Sequence, residues 1–353
     1  MATTKVQSEL IASTVPLGRR NLVRNGAMRV DQRNGGSAFD VSDAVSNAWC
    51  LDGWFIYCNA GGGTIQVQQV TDSPTGFNFS QKCTATVIDD DGADSFVNLQ
   101  NRIEGYDTDF LLFGTAAAKT VTLSFHVKSS LSGTFGGSLV GANYATGYTF
   151  QYTIDSADTW EKKTITITGD TDTSETYYRT TGAGLVIYWD LGGGSTYERA
   201  AANSWSAGGL VYSPRISGNV KVSRTLNATW QIAGAQLEVG STATEFEHRT
   251  YNDELHHAQR YFQSYGGESA NALSYKGSGH ATYYHLSTEI LPVPMRAAAT
   301  VAKSGTFATT NTGEPTFWME TTYAYAWQSL AAAEGAWVWY SNTSGKITLT
   351  SEL

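Results

Sequence analysis

The chain has 353 residues, of which only 16% are charged, and a formal net charge of -9 from Lys+Arg 23 and Asp+Glu 32. Nucleic-acid binding needs clustered Lys and Arg, and the densest basic spot, Arg19 and Arg20 with Arg24 nearby, reads as a solvated loop. Three cysteines, Cys50, Cys58 and Cys83, are too few for a disulfide scaffold and lack a zinc spacing, so buried free thiols are the expected state. No stretch has the apolar length of a signal peptide or a membrane span.

Residues 1–20, with a short apolar patch at Val6, Leu10 and Ile11, read as a polar arm that is disordered or docks on a partner. From residue 21 onward a period-two pattern recurs: GTIQVQQV (63–70), CTATVID (83–89), FVNLQNRIEG (96–105), KTVTLSFHVKS (119–129), YTFQYTI (148–154), WEKKTITITG (160–169), GLVIYWDLG (184–192) and ATWQIAGAQLEVG (228–240). In KTVTLSFHVKS, Val121, Leu123, Phe125 and Val127 share one face and Thr122, Ser124, His126 and Lys128 the other, the mark of a strand buried on one side. Many such strands, separated by turns among 36 glycines, predict an all-β fold: two sheets packed face to face, most simply a jelly-roll β-sandwich. A parallel β-helix would show a short fixed repeat, and none is visible.

FEHRTYNDELHHAQRYF (246–262) follows the last of these strands. Asn252 or Asp253 suits a helix cap, Glu254 suits the first turn, and Leu255, Ala258, Tyr261, Phe262 and Tyr265 form one apolar stripe before Gly266 and Gly267. The expected organisation is therefore an arm (1–20), a sandwich (21–248), a linker helix (249–265) and a smaller β-rich C-terminal domain (266–353). That last domain is rich in Trp and Tyr, which predicts apolar surface buried against the sandwich or against copies of itself.

Catalytic motifs are missing. There is no GxSxG elbow, Walker loop, strand-to-helix GxGxxG or CxxC, and paired glycosidase carboxylates leave no local motif. His256 and His257 diverge by about 100° on a helix, so with His248 they read as structural or surface groups. The acidic run IDDDGADS (88–95) lacks the full calcium-loop pattern and reads as a solvated turn. No metal, no cofactor and no enzymatic activity are expected.

Aromatic side chains are the remaining resource, because sugar rings bind Trp and Tyr faces beside polar groups. By alternation Trp160 and Tyr188 point away from the apolar faces of their strands, while Tyr144, Tyr177, Tyr178, Trp205 and Tyr212 fall in loops. The candidate glycan-binding residues are Trp160, Tyr178, Tyr188, Trp205 and Tyr144; an aromatic lid on the sandwich edge is the plainer reading of each.

Several stretches, in chain order, resemble modules of bacteriophage tail-fibre and other virion-appendage proteins: NLVRNGAMRVDQRNGG (21–36), LDGWF (51–55), LQNRIEG (99–105), VTLSFHVKSSLSGTF (121–135), TWEKKTITITGDT (159–171), QLEVGSTATEFEHRTYNDELHHAQRYF (236–262) and LPVPMRAAATV (291–301). The resemblance implies a jelly-roll domain like a carbohydrate-binding module and a non-catalytic adhesin for host surface polysaccharide. It also implies a homo-oligomer, usually a trimer, anchored to other virion proteins through the N-terminal arm and made in the host cytoplasm. The alternative is a structural head-fibre, decoration or tail-adaptor subunit without a sugar site. Calcium-stabilised carbohydrate-binding modules have a first strand similar to NxxxNGxFE and an acidic pair in the last; here Met28-Arg29 and QIAGAQ (231–236) stand there, a departure from the pattern that carries the family's structural calcium.

Overall fold

The computed structural model describes residues 20–59, 61–90, 92–173, 177–199, 201–207, 215–267, 272–279, 282–332, 335–342 and 344–353. The arm expected at residues 1–20 lies outside them but for Arg20. The chain forms two compact units: one uses residues up to Met28, Ala38–Ala48 and Ile56–His248, the other Arg29–Ser37, Trp49–Phe55 and Arg249–Leu353. Segments 29–37 and 49–55, which the sequence reading places in the sandwich, therefore count to the second unit.

In chain order the strands up to residue 239 are β1 Phe39–Ser42, β2 Asn47–Leu51, β3 Trp54–Asn59, β4 Thr64–Val70, β5 Ser80–Val87, β6 Phe96–Glu104, β7 Val121–Ser129, β8 Gly133–Gly141, β9 Thr146–Ile154, β10 Glu161–Ile167, β11 Ala183–Gly193, β12 Glu198–Arg199, β13 Ser204–Ala207, β14 Arg215–Ile216 and β15 Thr229–Val239. Each period-two stretch of the sequence falls on one of them. A six-stranded sheet has the order β1-β4-β5-β15-β7-β10 and a seven-stranded sheet the order β13-β9-β8-β11-β6-β3-β2. The chain steps from sheet to sheet between β5, β6, β7, β8, β10, β11 and β15, as a jelly roll requires.

Side chains of the two sheets meet in the interior. Phe125 of β7 lies edge-to-face on Trp189 of β11 (5.8 Å) and on Tyr152 of β9 (5.1 Å). The Trp230 indole N–H of β15 donates to Tyr152 Oη at 3.1 Å, which gives both buried polar tips a partner. Val121, Leu123, Phe125 and Val127 are fully buried, as alternation predicts. Their face opposite is not uniformly wet, however: Thr122 and Ser124 are buried too.

In the second unit α1 spans Tyr251–Gln259 and is capped by Thr250, whose Oγ1 accepts from Asp253 N at 3.2 Å. Two sequence expectations are corrected. The cap is not Asn252 or Asp253, and the helix does not reach Tyr265. Phe262–Gly266 is instead strand β16, drawn into pairing with Lys346–Thr350. A marginal helix end yields to a strand ladder because the ladder satisfies the backbone and buries Phe262.

The remaining strands are β17 Ser274–Gly279, β18 Tyr284–Ile290, β19 Thr300–Ser304, β20 Phe307–Thr310, β21 Thr316–Thr321, β22 Ala324–Leu330, β23 Gly335–Ser341 and β24 Lys346–Thr350. They form three-stranded sheets ordered β16-β24-β19, β17-β23-β20 and β18-β22-β21. The aromatics of this unit largely face one another: Trp339 stacks on Tyr275 at 4.6 Å and meets Trp327 edge-on at 5.0 Å, in a core with Met295, Phe307 and Leu349. The early segments are stitched into the same unit. Gln32 donates from N (2.8 Å) and Nε2 (3.0 Å) to Asp52 and from Nε2 to Phe262 O (3.1 Å); Arg33 lies over the Phe262 ring at 3.9 Å and pairs with Glu352.

Candidate functional site

Three of the five sequence-selected aromatics, Tyr144, Tyr178 and Trp205, lie on segments that meet at one end of the seven-stranded sheet. There the loop after β6, the β8–β9 turn, the segment before β11 and edge strand β13 converge. The loop after β6 bonds the strand leading to β11, with Gly105 N on Gly182 O (2.8 Å) and Tyr106 N on Thr180 O (3.1 Å). Gly105 and Gly184 are required by close approach: a Cβ at Gly105 would collide with the Tyr178 carbonyl, and one at Gly184 with Thr108 Oγ1.

The anchor of this rim is Asp170, a buried carboxylate. It accepts from Thr146 Oγ1 (2.6 Å), Tyr177 Oη (2.6 Å) and Asp172 N (2.9 Å), so both its oxygens are held by directed donors. Above it Phe113 meets Tyr177 (5.5 Å) and Trp205 (5.9 Å), both edge-to-face. A pocket opens among Thr108, Asp109, Phe113, Tyr177, Arg179 and Leu185. Tyr178 and Tyr106, on the same loops, are exposed at 41% and 58%. The side chains of Asp109 and Arg179 are exposed and make no bond among the described residues.

The five candidates take different places. Tyr178 presents an open ring. Trp205 is half-buried on β13, donates Nε1–H to Thr168 O at 2.7 Å and packs edge-on against Tyr148 at 5.7 Å, closing the gap at the sandwich edge. Tyr144, in the β8–β9 turn, packs over Tyr188, Val140 and Val186. Tyr188 does lie opposite Leu185, Ile187 and Trp189, but it is 2% exposed: the outer face of this sheet is covered. Trp160 stands apart, before β10, whose seven residues separate it from the rim by about 23 Å at ~3.3 Å per residue. Its Nε1–H donates to Asp72 at 3.2 Å and Lys128 sits over its ring. Burial pushes the Asp72 carboxyl up, but bonds from Lys128, Trp160 and Gln231 outweigh that and hold it below the ordinary value. Tyr212 lies outside the described residues.

The covered outer face holds polar groups that local sequence does not advertise. Ser138 of β8 and Thr149 of β9 are register partners, fully buried, and neither hydroxyl has a hydrogen-bond partner. Beside them the turn after β14 lies against Gly136 and β11. Arg215 pairs with Asp190 (Nε–Oδ2 3.1 Å), and Gln151 donates to Asn219 at 2.5 Å.

Sequence reasoning passed over Thr108, Asp109, Phe113 and Arg179, because loops carry no periodicity. The readable signal was composition: GYDTDFLLFG (105–114) mixes aromatics with acids in a segment that no strand pattern explains.

The other sequence candidates are bonded within the fold. Asp89 is buried, pairs with Arg224 and accepts from Ser223 Oγ at 2.7 Å; Asp91 lies outside the described residues. His248 packs on Phe77 (5.3 Å) and Phe246 (4.9 Å). Near the first and last strands Glu238 accepts from Gln236 Nε2 (2.8 Å) and Thr244 N (2.8 Å) and lies 3.3 Å from Arg20 Nε. No group of three or more His, Cys, Asp or Glu able to hold an ion occurs among the described residues.

Comparison with known proteins returns solved structures only. No family model matches the chain, and no curated protein matches it. The chain is similar to the enzymatically active domain of tailspike protein 4 of bacteriophage CBA120 at 10% identity and a TM-score of 0.33, over 62% of this chain and 21% of that one. It is also similar to a putative sugar binding protein from Bacteroides thetaiotaomicron (13% identity, TM-score 0.33, 63% of this chain and 100% of that one). A third is the family 11 carbohydrate-binding module of a cellulosomal cellulase from Clostridium thermocellum (13% identity, TM-score 0.29, 55% of this chain and 91% of that one).

Proposed function

We propose that the chain is a subunit of a phage fibre or other virion appendage, made in the host cytoplasm, and a non-catalytic adhesin that holds host surface polysaccharide at the rim pocket. The observation that carries this reading is a pocket lined by the Phe113 and Tyr177 rings and by the exposed, unpaired Asp109 and Arg179 side chains, on loops that also carry the exposed Tyr106 and Tyr178. Ring faces cover the apolar C–H surface of a sugar while the charged groups bind its hydroxyls. Asp170 accepts from two hydroxyls and a backbone N–H, which suits a fixed support for Tyr177. Display as a homo-oligomer on a particle multiplies weak single-site binding through effective concentration.

A second reading has its own support. The indole N–H groups of Trp160 and Trp205 are both taken up inside the chain, as in a sandwich whose edge aromatics serve packing alone. A structural virion subunit without a sugar site follows from that. Binding of the full chain to a panel of bacterial surface polysaccharides and to whole cells separates the two. The adhesin reading expects binding that falls roughly tenfold in Tyr178→Ala and in Arg179→Ala, with melting temperature unchanged. Wild-type protein that binds nothing supports the structural reading, and release of reducing sugar overturns the non-catalytic one.

A further inference from the structure

Exposed large apolar side chains are scattered over the first unit, yet in the second all but Tyr251 of α1 gather on one sheet: Tyr283, Tyr284, Leu286, Ile290, Tyr323 and Leu330, on or beside β18 and β22. On β18 the outward residues Tyr284, Leu286 and Ile290 are 62%, 65% and 85% exposed. The same strand is the end of its sheet, hydrogen-bonded to β22 on one side and, among the described residues, to no strand on the other. Natural edge strands are usually guarded by Lys, Pro or a bulge. Tyr284–Ile290 has none of these three, its one charged side chain being the inward-facing Glu289, and its pairing with β22 runs without a register shift.

We propose that a second copy of this chain pairs antiparallel along the open edge of β18, about a twofold axis at Ser287. The strand's own sequence, YHLSTEI, is self-complementary in that register. Tyr284 then faces Ile290 of the second copy and Leu286 faces Thr288, all on the exposed face. On the other face His285 meets Glu289 of the second copy, an opposite-charge pair whenever the imidazole is protonated and a hydrogen bond otherwise.

His285 supports this placement. Its ring stacks on Trp337 at 4.1 Å, which fixes its direction along the inner face of the strand. The twofold relation doubles every contact, as an isologous interface does, and joins two three-stranded sheets into one of six strands. A lipid surface fits the patch poorly, because β18, β21 and β22 carry no Lys or Arg to meet anionic headgroups. The contact is also twofold, in place of the threefold arrangement that the tail-fibre resemblance implies.

The test is mass by light scattering on the full chain, with polysaccharide binding measured on the same samples. Wild-type protein is expected at twice the 38.1 kDa chain mass, or at an even multiple. His285→Glu, which sets Glu against Glu289, should weaken association roughly tenfold or more. The exchanged variant His285→Glu/Glu289→His should regain it. Leu286→Lys, on the exposed face, should also give monomer with an unchanged melting temperature. A monomeric or trimeric wild type overturns the proposal, as does a His285→Glu variant whose mass is unaltered or an exchange that restores nothing. Because the pocket belongs to the first unit, loss of pairing with binding retained sinks this inference alone, whereas pairing without binding sinks only the adhesin reading.

Discussion

Arg215 and Asp190 form an ion pair in which neither side chain reaches solvent: Nε lies 3.1 Å from Oδ2, and the guanidinium also donates to the carbonyls of Gly193 and Asn219. Burial pushes the Asp190 carboxyl up, and Arg215 is the main force opposing it. Arg215→Met leaves the carboxylate buried without its cation and should cost about 3–5 kcal/mol in denaturant unfolding. The double variant Asp190→Asn/Arg215→Met should recover most of that loss. Additive losses in the double variant would show that the two groups do not act as a pair.

Asp52 gives the second unit a pH dependence. Burial lifts its carboxyl from the ordinary 3.8 to about 6, against the lowering influence of Arg33 and the Gln32 bonds. The folded chain therefore holds this proton more tightly than the unfolded one. The associated stability is complete below pH 3.8 and is lost as the pH rises to about 6. Two pKa units correspond to on the order of 3 kcal/mol. Asp52→Asn, which mimics the protonated acid, should flatten the unfolding midpoint between those limits; an unchanged slope would assign the dependence to other groups.

The buried hydroxyls of Ser138 and Thr149 should be a burden on the fold. A buried polar group left without a partner costs about 1–3 kcal/mol, and neither hydroxyl has one. Ser138→Ala and Thr149→Val should each raise stability by roughly 0.5–1 kcal/mol, since each removes only the unpaired group. A loss of stability in both would point to a bound water or ligand that these hydroxyls serve.

All three cysteines are buried and outside any disulfide, and burial pushes the Cys83 thiol up to about 12. A thiolate-dependent reagent should therefore leave the native chain unlabelled and titrate three thiols after unfolding. Rapid native labelling would mean that these strands open far more often than their packing suggests.

What the sequence made legible was local. KTVTLSFHVKS foretold β7 and its dry face residue by residue, because alternation is imposed by the pleat of a single strand. Tyr188 shows the limit of the same rule: alternation assigns it a face but not what packs on that face, and here Tyr144 packs against its cluster with Val140 and Val186. Phe262–Gly266 was misread as helix because its aromatics fit either period, and the choice was made by Lys346–Thr350, more than eighty residues away. The rim pocket was half legible. Its tyrosines stood out by type, whereas Thr108, Asp109 and Arg179 gain meaning only once distant loops meet.

The make-up of the second unit, from Arg29–Ser37, Trp49–Phe55 and everything after Arg249, bears on how the protein comes into being. On the ribosome its first pieces emerge early and must wait until nearly the whole chain is translated before Phe262 and Glu352 arrive to hold Gln32 and Arg33. Contacts of such long sequence separation form slowly. A gene fragment starting near residue 249 would lack two of the unit's own pieces, so grafting this end onto another scaffold as a cassette should fail unless residues 29–55 travel with it.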